Sequence, residues 1–125
     1  MRYLVGTDNN TWRLPDAVNA AAEGDAIEFQ AGYSPVVDYI VISKDLHFEG
    51  KVTLAEGGNQ NFTNVITGKF NINQQAKVTF ENIWICYGVE RTNIINCKEQ
   101  AEVSLINCVL ENSQTDGEVY SLIYA

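Results

Sequence analysis

His47 is the single histidine of the chain, and it stands in the run Asp45-Leu46-His47-Phe48-Glu49-Gly50-Lys51. An imidazole titrates near neutrality and can act as a general base. The pattern sets no nucleophile or oxyanion donor beside it, so the expectation is an ordinary surface histidine. Glu49 and Glu81 occupy matching points of two similar segments, LHFEG and VTFEN. Stacked in one sheet they would lie about 5 Å apart. Carboxylates that close can share a proton or hold Ca²⁺, and these two are the candidate metal ligands. Their plainer reading is as solvated acids beside Lys51 and Lys77, and no cofactor is expected. A second candidate group is aromatic: Trp84 and Tyr87, followed by the charged pair Glu90–Arg91. Amphipathic rings suit binding surfaces, and exposed ones stack on sugar rings while polar neighbours bond the hydroxyls. The plainer reading is lateral packing under a loop. Trp12 and Tyr33 are further platforms of the same type.

These residues are carried by a repeat. VTFENIWI at Val78–Ile85 returns as VSLINCVL at Val103–Leu110, 25 residues later. Each copy alternates apolar and polar, turns at an Asn, and alternates again. Asn82 and Asn107 are those corner residues. Asn tolerates the left-handed conformation of a sharp corner, and stacked copies would form a ladder of side-chain amides. Earlier copies are weaker. Ile27/Phe29, Leu46/Phe48, Val78/Phe80 and Val103/Leu105 read as inward pairs around the outward residues Glu28, His47, Thr79 and Ser104, a column without an acid cluster. Val52/Leu54, Ile83/Ile85 and Cys108/Leu110 read as a second strand of each unit. DYIVIS, TNVITG, TNIINC and YSLIYA read as a third, aligning Ile40 with Val65, Ile94 and Leu122. Units of this length that cannot bury their own apolar face must stack on one another.

One stretch reads differently. Leu14, Ala17, Val18 and Ala21 fall at helical spacing, Pro15 suits a first turn, and Gly24 suits a stop. The spacing predicts one amphipathic helix over Leu14–Glu23. Everything after Gly24 reads as short strands rich in Val, Ile, Leu and Phe, separated by Gly, Asn, Asp and Gln. Before the helix, Tyr3-Leu4-Val5 suits an edge strand.

The helix, then GDAIEF, QAGY and IVISKDLHFEG, resembles the N-terminal portion of right-handed parallel β-helix proteins of the pectin-lyase-like superfamily. The likeness is specific over Asp16–Gly50 and generic beyond. It implies an all-β right-handed parallel β-helix of about four coils, a single domain over 1–125 with an N-terminal cap over 1–25. It also implies an extracellular or cell-surface setting and a polysaccharide as partner. The acid and basic motifs of the superfamily's lyases and polygalacturonases are absent here, as is a GHG segment, so no catalytic residue is assigned.

Bulk properties narrow the partners. The net charge is −8 and the pI about 4.4, and the eight basic residues form no stripe, which excludes nucleic acid. No apolar run is long enough to insert in a membrane. The first residues lack a signal-peptide pattern. Three cysteines, Cys86, Cys97 and Cys108, have neither metal nor CxxC spacing and read as free thiols, with a single Cys86–Cys97 bridge as the alternative. The chain ends in the apolar YSLIYA with no capping segment after it, which reads either as a fragment of a longer chain or as an open end covered by another subunit. The expectation is therefore a non-catalytic scaffold or binding module, a tail-to-tail homodimer through the open last coil, with Leu105, Leu122 and Tyr124 near the contact. A glycan-binding fragment and a polysaccharide lyase or hydrolase are the competing readings.

Overall fold

The computed structural model describes residues 2–54, 60–87, 94–98, 100–112 and 123–124. The elements run in the order β1 Arg2–Val5, α1 Leu14–Ala20, β2 Asp25–Phe29, β3 Val36–Ile42, β4 Leu46–Glu49, β5 Val52–Leu54, β6 Gln60–Phe62, β7 Val65–Ile72, β8 Lys77–Glu81, β9 Trp84–Tyr87, β10 Ile95–Cys97, β11 Glu102–Ile106, β12 Val109–Asn112 and β13 Ile123–Tyr124. The described chain is thus mostly β, with one short helix. A five-stranded parallel sheet has the order β1-β2-β4-β8-β11. In the second sheet β7 is the hub. Its first residues, Val65–Thr67, pair with β9, which pairs with β12. Its later residues lie between β3 and β10, and β10 pairs with β13. All of these pairings are parallel, and β5–β6 alone is an antiparallel hairpin.

Alternation fixes which side chains face inward. In β2, β4 and β8 every second residue is buried, and Phe29, Phe48, Phe80, Ile27, Ile66, Phe70, Ile72 and Ile85 are almost fully covered. Phe48, Phe70 and Phe80 pack on one another. Phe48 and Phe80 stack at 4.9 Å and 11°, and Phe70 meets Phe80 edge-on at 5.0 Å. Each buried ring contributes roughly 1.5–3 kcal/mol of transfer free energy. Helix α1 buries Leu14, Ala17 and Val18. Gly50 and Gly68 are needed for close approach, because a Cβ would run into the Asn82 carbonyl at the first and the Val37 carbonyl at the second.

Four expectations change. The helix stops at Ala20, not Glu23. Ala21 is extended, Lys44 Nζ bonds the carbonyls of Asn19 and Ala21, and the Asp25 carboxylate accepts from Ala22 N at 2.8 Å. The β2–β4 register differs by two residues from the aligned one: Ile27 lies beside Phe48, not Leu46. A two-residue slip keeps every side chain on its face, so alternation cannot detect it. Here Gly24 N donates to Asp45 O and Asp45 N to Glu23 Oε1, which pins the pair. Val52 and Leu54 do not join the column of Ile83 and Ile85; they belong to the hairpin, and Val65–Thr67 takes that place. In the third column Ile40 aligns with Phe70 and Ile95, not Val65 and Ile94.

Candidate functional site

On the outer face of the five-stranded sheet two rows of side chains cross the strands. The registers put Arg2, Ala26, His47, Thr79 and Ser104 in one row and Leu4, Glu28, Glu49, Glu81 and Ile106 in the other. Glu28 therefore lies with Glu49 and Glu81, not with His47. The corrected register produces what the aligned one lacked, three carboxylates in consecutive strands, spaced by the strand separation of about 4.8 Å.

Like charges at that spacing repel, and nitrogen-bearing side chains stand among them. Lys51 Nζ bonds Glu28 at 2.8 Å, Arg2 bonds Glu49 and lies 3.6 Å from Glu28, and His47 Nε2 lies 3.1 Å from Glu81. The Lys51 hydrogen bond holds the Glu28 carboxyl below its ordinary range. Ligand atoms of His47, Glu49 and Glu81 all fall within 4.8 Å of one another. A divalent ion would fit between them geometrically, but it would compete with Arg2 for Glu49. Arg2 was not singled out in the sequence, since a lone terminal arginine carries no motif.

The aromatic group is divided. Phe62 of the hairpin stands edge-on to Trp84 at 5.9 Å, and Lys69 lies 5.2 Å from the centre of the Tyr87 ring and 5.8 Å from that of Tyr39. Glu90 and Arg91 lie outside the described residues. At the corner, Asn82 and Asn107 have φ of 59° and 52°, and Asn107 Nδ2 donates to Asn82 Oδ1 at 2.8 Å. Leu105 is half-buried. Leu122 lies outside the described residues, and Tyr124 is described only as backbone of β13.

Asn64 carries more than its sequence context suggests. It is fully buried, donates to the carbonyls of Gln30 and Tyr33 at 2.9 Å each, and accepts from Lys51 N at 2.7 Å. Its own carbonyl receives Trp84 N. A buried Asn before an apolar run looks like any loop residue, and no periodicity marks it.

A cleft of about 860 Å³ opens between the loop ahead of α1 and the helix's outer side. Trp12 lines it and is 44% exposed. The main chain of Trp12 is fixed to β1, its N–H to Leu4 O and its O from Gly6 N, each at 2.9 Å. Its ring meets Tyr3 edge-on at 5.3 Å.

The cysteines are free thiols, and burial pushes the Cys97 thiol up. No helix among the described residues is long and apolar enough to cross a membrane. Comparisons with protein-family models, with curated proteins and with solved structures find no match for the chain.

Proposed function

We propose that the chain is a short right-handed parallel β-helix of the pectin-lyase-like kind, serving as a non-catalytic scaffold that assembles tail to tail through its last coil. The parallel registers support the solenoid. β4 pairs with β8 and β8 with β11, while β7 pairs with β9 and β9 with β12, so successive passages of the chain lie one strand further along. Parallel neighbours joined by crossovers are right-handed in nearly all proteins.

One observation carries the assembly. Val78, Phe80 and Ile85 are at most 2% exposed, whereas their register partners Val103, Leu105 and Leu110 are only partly buried and the neighbouring Ile106 is 49% exposed. The same apolar pattern recurs with less cover. Among the described residues β11 and β12 are terminal in their sheets. Edges beside apolar side chains are templates for another chain. At the opposite end, Trp12's main chain occupies the edge of β1 and α1 lies nearby. Two like ends then meet across a two-fold axis, the commonest symmetry of such contacts. Sedimentation at micromolar concentration should give twice the 13.9 kDa chain mass. Leu105→Lys should return the protein to monomer, and a wild-type chain that stays monomeric at high concentration sinks the reading.

The ion pairs on the sheet face support a structural part for the glutamate row, cross-linking strands. A glycan site at Trp84 is the weaker alternative, since Phe62 already packs on that indole.

A further inference from the structure

We propose that His47, Glu49 and Glu81 bind a first-row divalent metal ion of the Zn²⁺ class on the outer face of the five-stranded sheet. The site lies within one chain, so it goes beyond the scaffold reading and does not depend on assembly.

Strand geometry brings the ligands together. His47 and Glu49 are two residues apart in β4, so both side chains leave the same face. The register sets Glu81 of β8 directly beside Glu49. One ligand atom from each of the three lies within 4.8 Å of the other two, and all three residues are half-buried. His47 Nε2 and Glu81 Oε2 are 3.1 Å apart. Ligands about 2.1 Å from a tetrahedral Zn²⁺ lie roughly 3.4 Å from one another, so this pair already has the spacing of two corners. Glu49 reaches the third corner by rotating its own flexible side chain.

The donor set selects the ion. A row of acids alone attracts any cation, whereas an imidazole among them adds a nitrogen ligand. One imidazole with two carboxylates suits Zn²⁺, Cu²⁺ or Ni²⁺, while Ca²⁺ takes about six to eight oxygens and Mg²⁺ keeps to oxygen. Coordination uses the lone pair of Nε2, and the ring proton then sits on Nδ1. Glu28, the third acid of the row, stays with Lys51, whose Nζ bonds it at 2.8 Å. Arg2 is the competitor. Its guanidinium bonds Glu49 and lies 3.6 Å from Glu28. Arg2 is the more open partner, its side chain 56% exposed against 27% for Glu49, so it can turn to Glu28 when the ion arrives. An ion held by Glu49 and Glu81 ties β4 to β8 and offsets the repulsion between like charges in adjacent strands. Three protein ligands leave a position for water.

The test uses the full chain without a tag. His47 is the single histidine, so its ring signals in ¹H–¹⁵N NMR report the site directly. Zn²⁺ should bind saturably by calorimetry, move the His47 ring nitrogens to the shifts of an Nε2-bound imidazole and raise the melting temperature. Ca²⁺ and Mg²⁺ at the same concentration should do neither. Co²⁺ should give visible bands without the sulfur charge-transfer absorption that Cys86 or Cys108 would add. Glu81→Gln should weaken Zn²⁺ binding about tenfold or more. Arg2→Ala should tighten it, a result that an ion pair with no metal function does not predict. Circular dichroism of both variants should stay that of the parent. The proposal is overturned if Zn²⁺ leaves the His47 ring unmoved, if Ca²⁺ binds as tightly, if Co²⁺ reports a thiolate, if Glu81→Gln binds like its parent, or if Arg2→Ala fails to tighten binding.

Discussion

Replacing Phe80 by Ala removes the ring that two others touch. Phe80 is 0% exposed, stacked on Phe48 at 4.9 Å and met edge-on by Phe70 at 5.0 Å. Truncating a buried Phe costs about 3–5 kcal/mol, and contacts between rings supply part of that, about 0.5–1.5 kcal/mol per pair. The upper half of the range applies here, because Phe80 is in contact with two other buried rings, one stacked and one edge-on. Against a total stability of roughly 5–15 kcal/mol this is a large fraction. With a urea slope of about 2 kcal/mol/M, the midpoint should fall by about 2 M without a change of slope. Thr79 is the adjacent residue and faces outward between His47 and Ser104. Thr79→Ala should move the stability by no more than about 0.5 kcal/mol. A double-mutant cycle with Phe48→Ala should return a coupling of about 1 kcal/mol. Equal losses at Phe80 and Thr79, or zero coupling, would refute the inward column.

The remaining predictions concern other parts of the same framework. Asn82→Ala should cost more than Asn82→Gly, by about 1 kcal/mol, because φ is 59° there and only the alanine is strained; equal values in urea titration would count against the corner. Asn64→Ala leaves Lys51 N and Tyr33 O without the amide and takes one of two donors from Gln30 O, and should cost about 2–3 kcal/mol; a neutral result would show that water replaces the amide. Asp25 is held below its ordinary range chiefly by the Ala22 N–H, and Glu28 by Lys51, so both stabilise above their unfolded pKa values. That stability should be lost as the pH falls through their lowered folded values, and Glu28→Gln should flatten the acid limb of a stability–pH curve. Cys97 is 4% exposed with a raised pKa, so a thiol reagent should reach it only on unfolding; rapid labelling in the native state, seen by mass spectrometry, would contradict its burial.

Much of the framework was legible because alternation is a local signal. Ile27, Phe48, Phe80 and Ile85 face inward as their spacing demands, and the two clearest copies pair in the aligned register, Val78 with Val103. What escaped is whatever alternation cannot carry. A slip of two residues between β2 and β4 is invisible to it, and that slip decides whether Glu28 stands alone or in a row of three acids. The hairpin β5–β6 also hid itself. Val52 and Leu54 follow a corner, alternate properly, and look like the next strand, although their partners Gln60 and Phe62 come from the returning arm. The candidate sites were less legible than the core. Trp12 was one platform among several until its cleft could be seen. Arg2 matters only because β1 lies beside β2, a long-range fact that no local pattern contains.

The excursion over residues 51–63 leaves and re-enters the sheets at almost the same place. Gly50 N is bonded to Glu81 O on departure, and Asn64 O receives Trp84 N on return. Thr63 N and Lys51 O close the base at 3.1 Å. In the strands paired beside them the same step, from Glu81 to Trp84, takes only Asn82 and Ile83. The excursion is therefore an insert spliced between two positions that are nearly joined already. Lengthening such a loop costs entropy only logarithmically. Foreign sequence grafted between Leu54 and Gln60 should leave both parallel sheets undisturbed, making this a point at which the chain can gain length, and with it new specificity, at little risk to its fold.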